Sequence, residues 1–237
     1  MNFSTEDLDF FIQNIYENSF SSNNGGMASP DMFTLFFALK TINPKVVIES
    51  GVWNGLSTKL IRKSLGPDVI IICLDPREIP SNGYRDNNKN TIYFVGNKFK
   101  DFNNLDLEKY DPKDIFAFFD CHQNAPLRLL QCNEKKITHC FFNDNYPAKL
   151  GSHFTFQHLI NNDNRLNKFY KDEKKRIIDM MEIYHIFPNI FPTIIKTGEG
   201  DSLSTGFFDK DNNEAKYSVF RKDSSKYRWN TYIKIKS

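Results

Sequence analysis

Four polar residues near the middle of the chain could do chemistry together: Asp120, His122, Asp144 and Asn145. Each stands at the end of an apolar run, with FAFF before Asp120 and HCFF before Asn143-Asp144-Asn145. The two carboxylates and the amide oxygen of Asn145 are hard oxygen donors of the kind that Mg²⁺ or Ca²⁺ takes. His122 can accept a proton near neutral pH, since an ordinary imidazole has a pKa of about 6.5. Gln123, beside it, cannot. A cation that polarises a hydroxyl and a base that takes its proton together activate an oxygen nucleophile. Simpler roles stay open for the same residues: Asp120 and Asp144 as helix caps, Asn145 as a turn residue, His122 as a structural histidine.

A second constellation lies at residues 46–58, VVIESGVWNGLST. A β-branched run ends in Glu49, Gly51 and Gly55 follow four apart, and Ser57-Thr58 opens the amphipathic segment KLIRKSL. This reads as a buried strand, a tight turn and a helix N-terminus. Glycines in such a turn let backbone amides approach a ligand closely. No Gly-Lys-Ser/Thr follows, so it is not a phosphate-binding P-loop. The G-x-x-x-G spacing also differs from the G-x-G-x-x-G fingerprint of nicotinamide enzymes.

Five strand-like runs must position these groups: Lys45–Glu49, Val69–Asp75, Thr91–Val95, Asp114–Asp120 and Ile137–Asn143. Most are continuously apolar, as parallel strands covered on both faces require. Helical patterns over Leu56–Leu65 and Ala125–Glu134 separate the first and last pairs. The expectation is an α/β fold, a doubly wound and mostly parallel sheet with helices on both faces. Ligands of such sheets gather beyond the carboxyl ends of the strands. There the runs end in Glu49, Asp75, Gly96-Asn97, Asp120 and Asn143-Asp144-Asn145. Asp75 could accept hydrogen bonds from ribose hydroxyls. Gly96 and Asn97 could meet a base.

The order of Glu49, Gly51 and Gly55 resembles the first motif of the class I S-adenosylmethionine (SAM) methyltransferases. The later pattern resembles their Mg²⁺-dependent O-methyltransferases of the catechol and macrolide-sugar types. The resemblance covers short motifs over residues 46–147 only. It implies a Rossmann-like methyltransferase fold and transfer of a methyl group from SAM to a hydroxyl of a small molecule or sugar. It further implies a cofactor site at Glu49, Gly51, Trp53, Asn54, Gly55, Ser57, Asp75, Gly96, Asn97 and Asp120. Mg²⁺ would be held by Asp120, Asp144 and Asn145, with Asp120 and His122 catalytic. The catechol enzymes carry a lysine base where this chain has Gln123, which leaves His122 as the base. Trp53 and Tyr146 could pack against cofactor or acceptor, or Trp53 could simply pack helix on sheet. A metal-independent methyltransferase and a catalytically silent SAM-binding protein are the alternatives.

The remaining sequence sets bounds. At 237 residues the chain suits one domain. An N-terminal helical or lid segment is expected over 1–44, with Ser4 as N-cap of a helix over 4–19 and another helix over Asp31–Leu39. The Gly-rich stretch SSNNGGMASP and the segment GSHFTFQHL are candidate lids. Residues 148–215 are expected as a substrate-side insertion, with a long helix over 164–187. The tail YRWNTYIKIKS alternates as a strand does. A net charge of +2 without a basic block offers no footprint for nucleic acid or membrane. The four cysteines lack C-x-x-C spacing, so zinc and disulfide frameworks are not expected. The acidic N-terminus is unlike a signal peptide, and a cytoplasmic protein is expected. A homo-oligomer stays open.

Overall fold

The computed structural model describes residues 1–20, 26–162, 168–192, 194–197, 200–203, 206–208, 215–222 and 228–236. Its main sheet has seven strands: β1 (Val46–Ser50), β2 (Ile70–Asp75), β3 (Thr91–Val95), β4 (Ile115–Phe119), β5 (His139–Phe142), β6 (Met181–Ile186) and β9 (Thr231–Ile235). A hairpin of β7 (Ile194–Thr197) and β8 (Gly200–Leu203) stands apart from it. The order across the sheet is β3-β2-β1-β4-β5-β9-β6. The pairs among β1 to β5 are parallel, and β9 runs antiparallel between β5 and β6. The strand order reverses beside β1, and that is the switch point where a crevice opens.

Helices cover both faces, as the continuously apolar strands require. On one face Val47, Ile71, Phe116, Phe118 and Phe141 pack with α2 (Ser29–Ile42), α3 (Leu56–Leu65) and the N-terminal α1 (Thr5–Phe11). On the other, Ile48, Ile72, Ala117, Phe119 and Phe142 pack with α4 (Ala125–Glu134), α5 (Phe156–Ile160) and α6 (Lys168–Asp179). Neighbouring strand residues alternate between these two cores, because side chains leave a strand with period two. The parity has a consequence for the site. Glu49 follows Ile48, so it turns toward α3 with Val47. The last described helix, α7, is short (Ser218–Arg221).

Two expected helices come out differently. The N-terminal stretch starts as α1, where Ser4 N donates to the Asp7 carboxylate at 2.8 Å and Asp7 N to Ser4 Oγ at 3.3 Å. It then continues as one π-helical turn, Ile12–Tyr16. The helix expected over 164–187 ends at Asp179, and Met181–Ile186 is strand β6 instead. Residues 163–167 lie outside the described part. The apolar spacing of Ile183, Tyr184 and Ile186 fits both periods, and pairing with β9 decides it (Tyr184 opposite Ile233, Ile186 opposite Thr231). Of the segment 148–215, β6 therefore belongs to the main sheet. No described helix is long and apolar enough to cross a membrane.

Candidate active site

The first wall of the crevice is the turn from β1 into α3. Gly51 has φ +100° and Gly55 φ +76°, both left-handed. A Cβ on Gly51 would stand 2.5 Å from the backbone of Asp120, and one on Gly55 would stand 2.0 Å from the Tyr84 carbonyl oxygen. Only glycine fits either place. The carboxylates behind this turn hold its shape. Asp75 Oδ2 accepts from Val52 N and Trp53 N, each at 2.9 Å, and its Oδ1 accepts from Arg77 N at 2.8 Å. Burial opposes the charge on Asp75, but the amides of Trp53, Arg77 and Val52 outweigh it and hold the carboxyl below the usual range. Glu49 is fully buried. It accepts hydrogen bonds from Ser57 Oγ and, at 2.6 Å, from Thr58 Oγ1, the hydroxyls that open α3. Burial pushes its carboxyl up to about 7, against the pull of those hydroxyls.

The second wall follows β4 and β5. Asp120 N donates to Ser50 O at 2.8 Å, which ties this wall to the first. Asn143 Nδ2 donates to Asp120 Oδ1 at 2.9 Å. Asp144 is buried, with Oδ2 3.2 Å from His122 Nδ1 and Oδ1 accepting from Arg228 Nη1 at 3.2 Å. Burial, and then the neighbouring Asp144 carboxylate, raises the Asp120 carboxyl. Asp31, on α2, is also buried and raised. Burial is the main cause, Arg228 opposes it, and Asp144 and Asp120 add to it. Asn230 Nδ2 bridges Asp31 Oδ1 at 3.0 Å to Thr34 Oγ1 at 2.9 Å. The amide oxygens of Asn143 and Asn230 are buried without a hydrogen-bond partner among the described residues.

The backbone here is strained. Trp53, His122, Asp144 and Trp229 all have φ between 43° and 60°. The region costs Trp53 and Trp229 roughly 1–3 kcal/mol each, whereas Asp and His enter it more readily. Aromatic rings stand around the acids: His153 lies 5.6 Å from His122, and Trp229 lies 5.6 Å from Tyr146.

A cleft of about 180 Å³ joins the walls. Gly51, Val52, Trp53, Asn54 and Ser57 line it from the turn, Asp120 and His122 from the second wall, and Gly26, Met27, Leu56 and Arg77 complete it. It is smaller than the ~300–1,000 Å³ of typical small-molecule sites, so it encloses part of a ligand. Of the other expected site residues, Glu49, Gly55 and Asp75 sit behind the turn, while Gly96 and the exposed Asn97 do not line the cleft. Of the two candidate lids, Gly26 and Met27 line the cleft, whereas 21–25 lie outside the described residues.

One ligand atom each from Asp120, His122 and Asp144 can come within 4.8 Å of one another, a spacing that could hold a metal ion. Asn145 is used differently. Its Nδ2 donates to Tyr184 Oη at 3.0 Å and Thr231 Oγ1 at 2.7 Å, and its Oδ1 accepts from Gln157 N at 3.2 Å. His158, on α5, is structural. Its Nδ1 accepts from Thr155 N at 3.1 Å and its Nε2 donates to Pro147 O at 2.9 Å.

Arg228 and Asp31 were not anticipated from sequence. Arg228 comes in with the strand that follows it: β9 runs antiparallel to β5, with Thr231 opposite Phe142, so residues just before β9 fall beside the end of β5. Asp31 carried only the look of a helix-start acid.

No family model matches the sequence, and no curated protein matches it. Among solved structures, the chain is similar to the O-methyltransferase from Bacillus cereus, solved in complex with SAH. The TM-score is 0.50 at 14% identity, over 100% of this chain and 93% of that one. A SAM-dependent O-methyltransferase from Thermotoga maritima gives a TM-score of 0.46 at 10% identity, over 96% of this chain and 70% of that one. The first likeness establishes the fold: a Rossmann-like, mostly parallel seven-stranded sheet of the kind the Bacillus cereus O-methyltransferase has.

Proposed function

We propose that this chain is a SAM-dependent methyltransferase that acts on a hydroxyl of a small molecule or carbohydrate. The observation that carries the reading is one crevice. It joins a glycine turn at a helix N-terminus to an Asp–His pair beyond the neighbouring strands. The fold shared with an O-methyltransferase solved with SAH supports it.

Methyl transfer is an in-line displacement. The S–CH₃ bond breaks with its electron pair left on sulfur, a C–O bond forms, and the hydroxyl proton must leave. Gly51, Trp53, Asn54 and Ser57 would contact the cofactor, with Asp120 at the far wall. Glu49, Gly55 and Asp75 would act through the turn by fixing its shape. Gly96 and Asn97, at the end of β3, remain the proposed neighbours of the base. His122 Nδ1 lies 3.2 Å from Asp144 Oδ2, a contact that would favour the proton on Nδ1 and leave Nε2 to take the acceptor's proton. Placement of the oxygen about 3 Å from the methyl carbon supplies the rest.

A divalent ion would take the hard carboxylate oxygens of Asp120 and Asp144, which lie close together. The Oδ1 of Asn143, without a hydrogen-bond partner among the described residues, would be the third donor in place of Asn145, whose Oδ1 already accepts from Gln157 N. When bound, the ion would lower the acceptor hydroxyl's pKa as a Lewis acid. A metal-independent version is the second reading. It is favoured by the groups already beside Asp144, His122 near one oxygen and Arg228 donating to the other.

The test is calorimetric titration with SAM and SAH, followed by a screen of hydroxylated acceptors for SAH release with and without EDTA. Saturable SAM binding and acceptor-dependent SAH release support the reading. Failure to bind either ligand refutes it. Activity that survives EDTA selects the metal-independent version.

A further inference from the structure

Arg228 meets the acidic wall at the oxygen an incoming cation would use. Its Nη1 donates to Asp144 Oδ1 at 3.2 Å and to the Tyr146 hydroxyl. The other oxygen of Asp144 faces His122 Nδ1 at 3.2 Å. Asp144 is buried, so these two side chains, not bulk water, solvate it. The guanidinium also acts on the remaining acids, opposing the upward shifts of Asp31 and Asp120. It is the permanent cation shared by the three carboxylates, because an arginine does not lose its proton in this range.

We propose that Arg228 is an internal cation that competes with a divalent metal ion for Asp144. The inference rests on the acidic wall being a cation site, as read above. Two positive centres cannot share one buried carboxylate oxygen without strong repulsion, because charges interact strongly where water is excluded. With the guanidinium in place, Asp144 Oδ1 is taken and the ion binds weakly. With the guanidinium gone, Asp144 Oδ1 is open beside Asp120, and the ion binds tightly. His122 keeps Oδ2 in both states, so the base is oriented either way. An opposite role is physically distinct. An arginine that merely orients Asp144 as an outer hydrogen-bond donor would strengthen metal binding, as such partners of ligating groups do.

The two roles predict opposite signs in one experiment. The full chain is titrated with Mn²⁺ alone, and free Mn²⁺ is read by electron paramagnetic resonance, for the wild type, Arg228→Met and Arg228→Lys. Competition predicts on the order of tenfold tighter Mn²⁺ binding by Arg228→Met, within the ~5–150-fold range common for coupled sites. Arg228→Lys keeps the charge and stays close to the wild type. Equal or weaker binding by Arg228→Met overturns the proposal, as does the absence of Mn²⁺ binding in all three proteins. Should Arg228→Met fail to fold, Tyr146→Phe removes one of the two acceptors that hold the guanidinium. It should then tighten Mn²⁺ by a smaller factor, and unchanged or weaker binding overturns the proposal equally. SAM titration of the same samples separates the two readings. SAM binding with no gain in Mn²⁺ affinity sinks only the role of Arg228, whereas a wild type that binds no SAM sinks the methyltransferase reading.

Discussion

The two walls of the crevice are built on opposite terms. At the β1–α3 turn the acids are saturated: Asp75 accepts three backbone amides, and Glu49 accepts the two hydroxyls that open α3. Beyond β4 and β5 the acids crowd one another and two buried amide oxygens lack partners among the described residues. Left-handed backbone does not separate the walls, since Trp53 carries it in the turn and His122, Asp144 and Trp229 carry it beyond β4 and β5. The acids of the first wall are satisfied and keep a shape. Those of the second are left under one another's charge, as the proposed ligand site requires. The difference separates residues that matter through structure from residues that matter through chemistry.

The sharpest break should come from His122→Ala. Removing the general base proposed here should cost about 10²–10⁴-fold in turnover. His122 is exposed, so thermal unfolding should barely move, and SAM affinity should hold. A variant that loses stability and activity together would erase the distinction between the walls.

Next in size is the turn. Gly55→Ala should lose on the order of 3 kcal/mol in denaturant unfolding and its SAM binding, through left-handed strain plus the contact with Tyr84. Gly66 offers a comparison. Its φ of +83° with ψ of −172° also favours glycine, but a Cβ there meets nothing within 4 Å. Gly66→Ala should cost about 1–3 kcal/mol of backbone strain and leave SAM binding intact. Loss of SAM binding in both variants would show that the close approach at Gly55 is unimportant.

Glu49 gives a comparable effect that depends on pH. Its carboxyl sits at about 7 in the fold, against an ordinary 4.5. Between those values the folded chain binds the extra proton, so stability falls as pH rises. The gain is full below the unfolded value and gone above the folded one, a swing of about 3 kcal/mol. Glu49→Gln should flatten that part of the curve, as read by urea midpoints from pH 4 to pH 8. A mutant curve parallel to the wild type would contradict the burial argument.

The smallest effect sharpens the assignment of neighbours. Asn145→Ala should cost about 1–3 kcal/mol through its lost hydrogen bonds and leave Mn²⁺ affinity unchanged. Asn143→Ala should weaken Mn²⁺ binding. The reverse pattern would restore Asn145 as a ligand.

Much of this was legible because strands speak through composition. The unbroken apolar runs around Val47, Ile72 and Phe118 announced a two-sided parallel sheet, and G-x-x-x-G announced the turn. Side-chain direction was harder to read. Glu49 and Asp75 end their strands, yet strand parity turns Glu49 beneath α3, and the amides of Val52 and Trp53 claim Asp75. The segment MEIYHI could satisfy either period until β9 paired with it. Arg228 stands 84 residues from Asp144, and nothing local links them. Their meeting depends on β9 running antiparallel beside β5, a property of the assembled sheet.

The central claim, that this crevice holds a methyl donor, is tested most directly by calorimetry of SAM against the wild type and Gly51→Val. The variant places a branched side chain where even a Cβ stands 2.5 Å from the Asp120 backbone. Saturable binding of one SAM by the wild type, lost in the variant, is the predicted result. A wild type that takes up no SAM, or a variant that binds it equally well, would contradict the account.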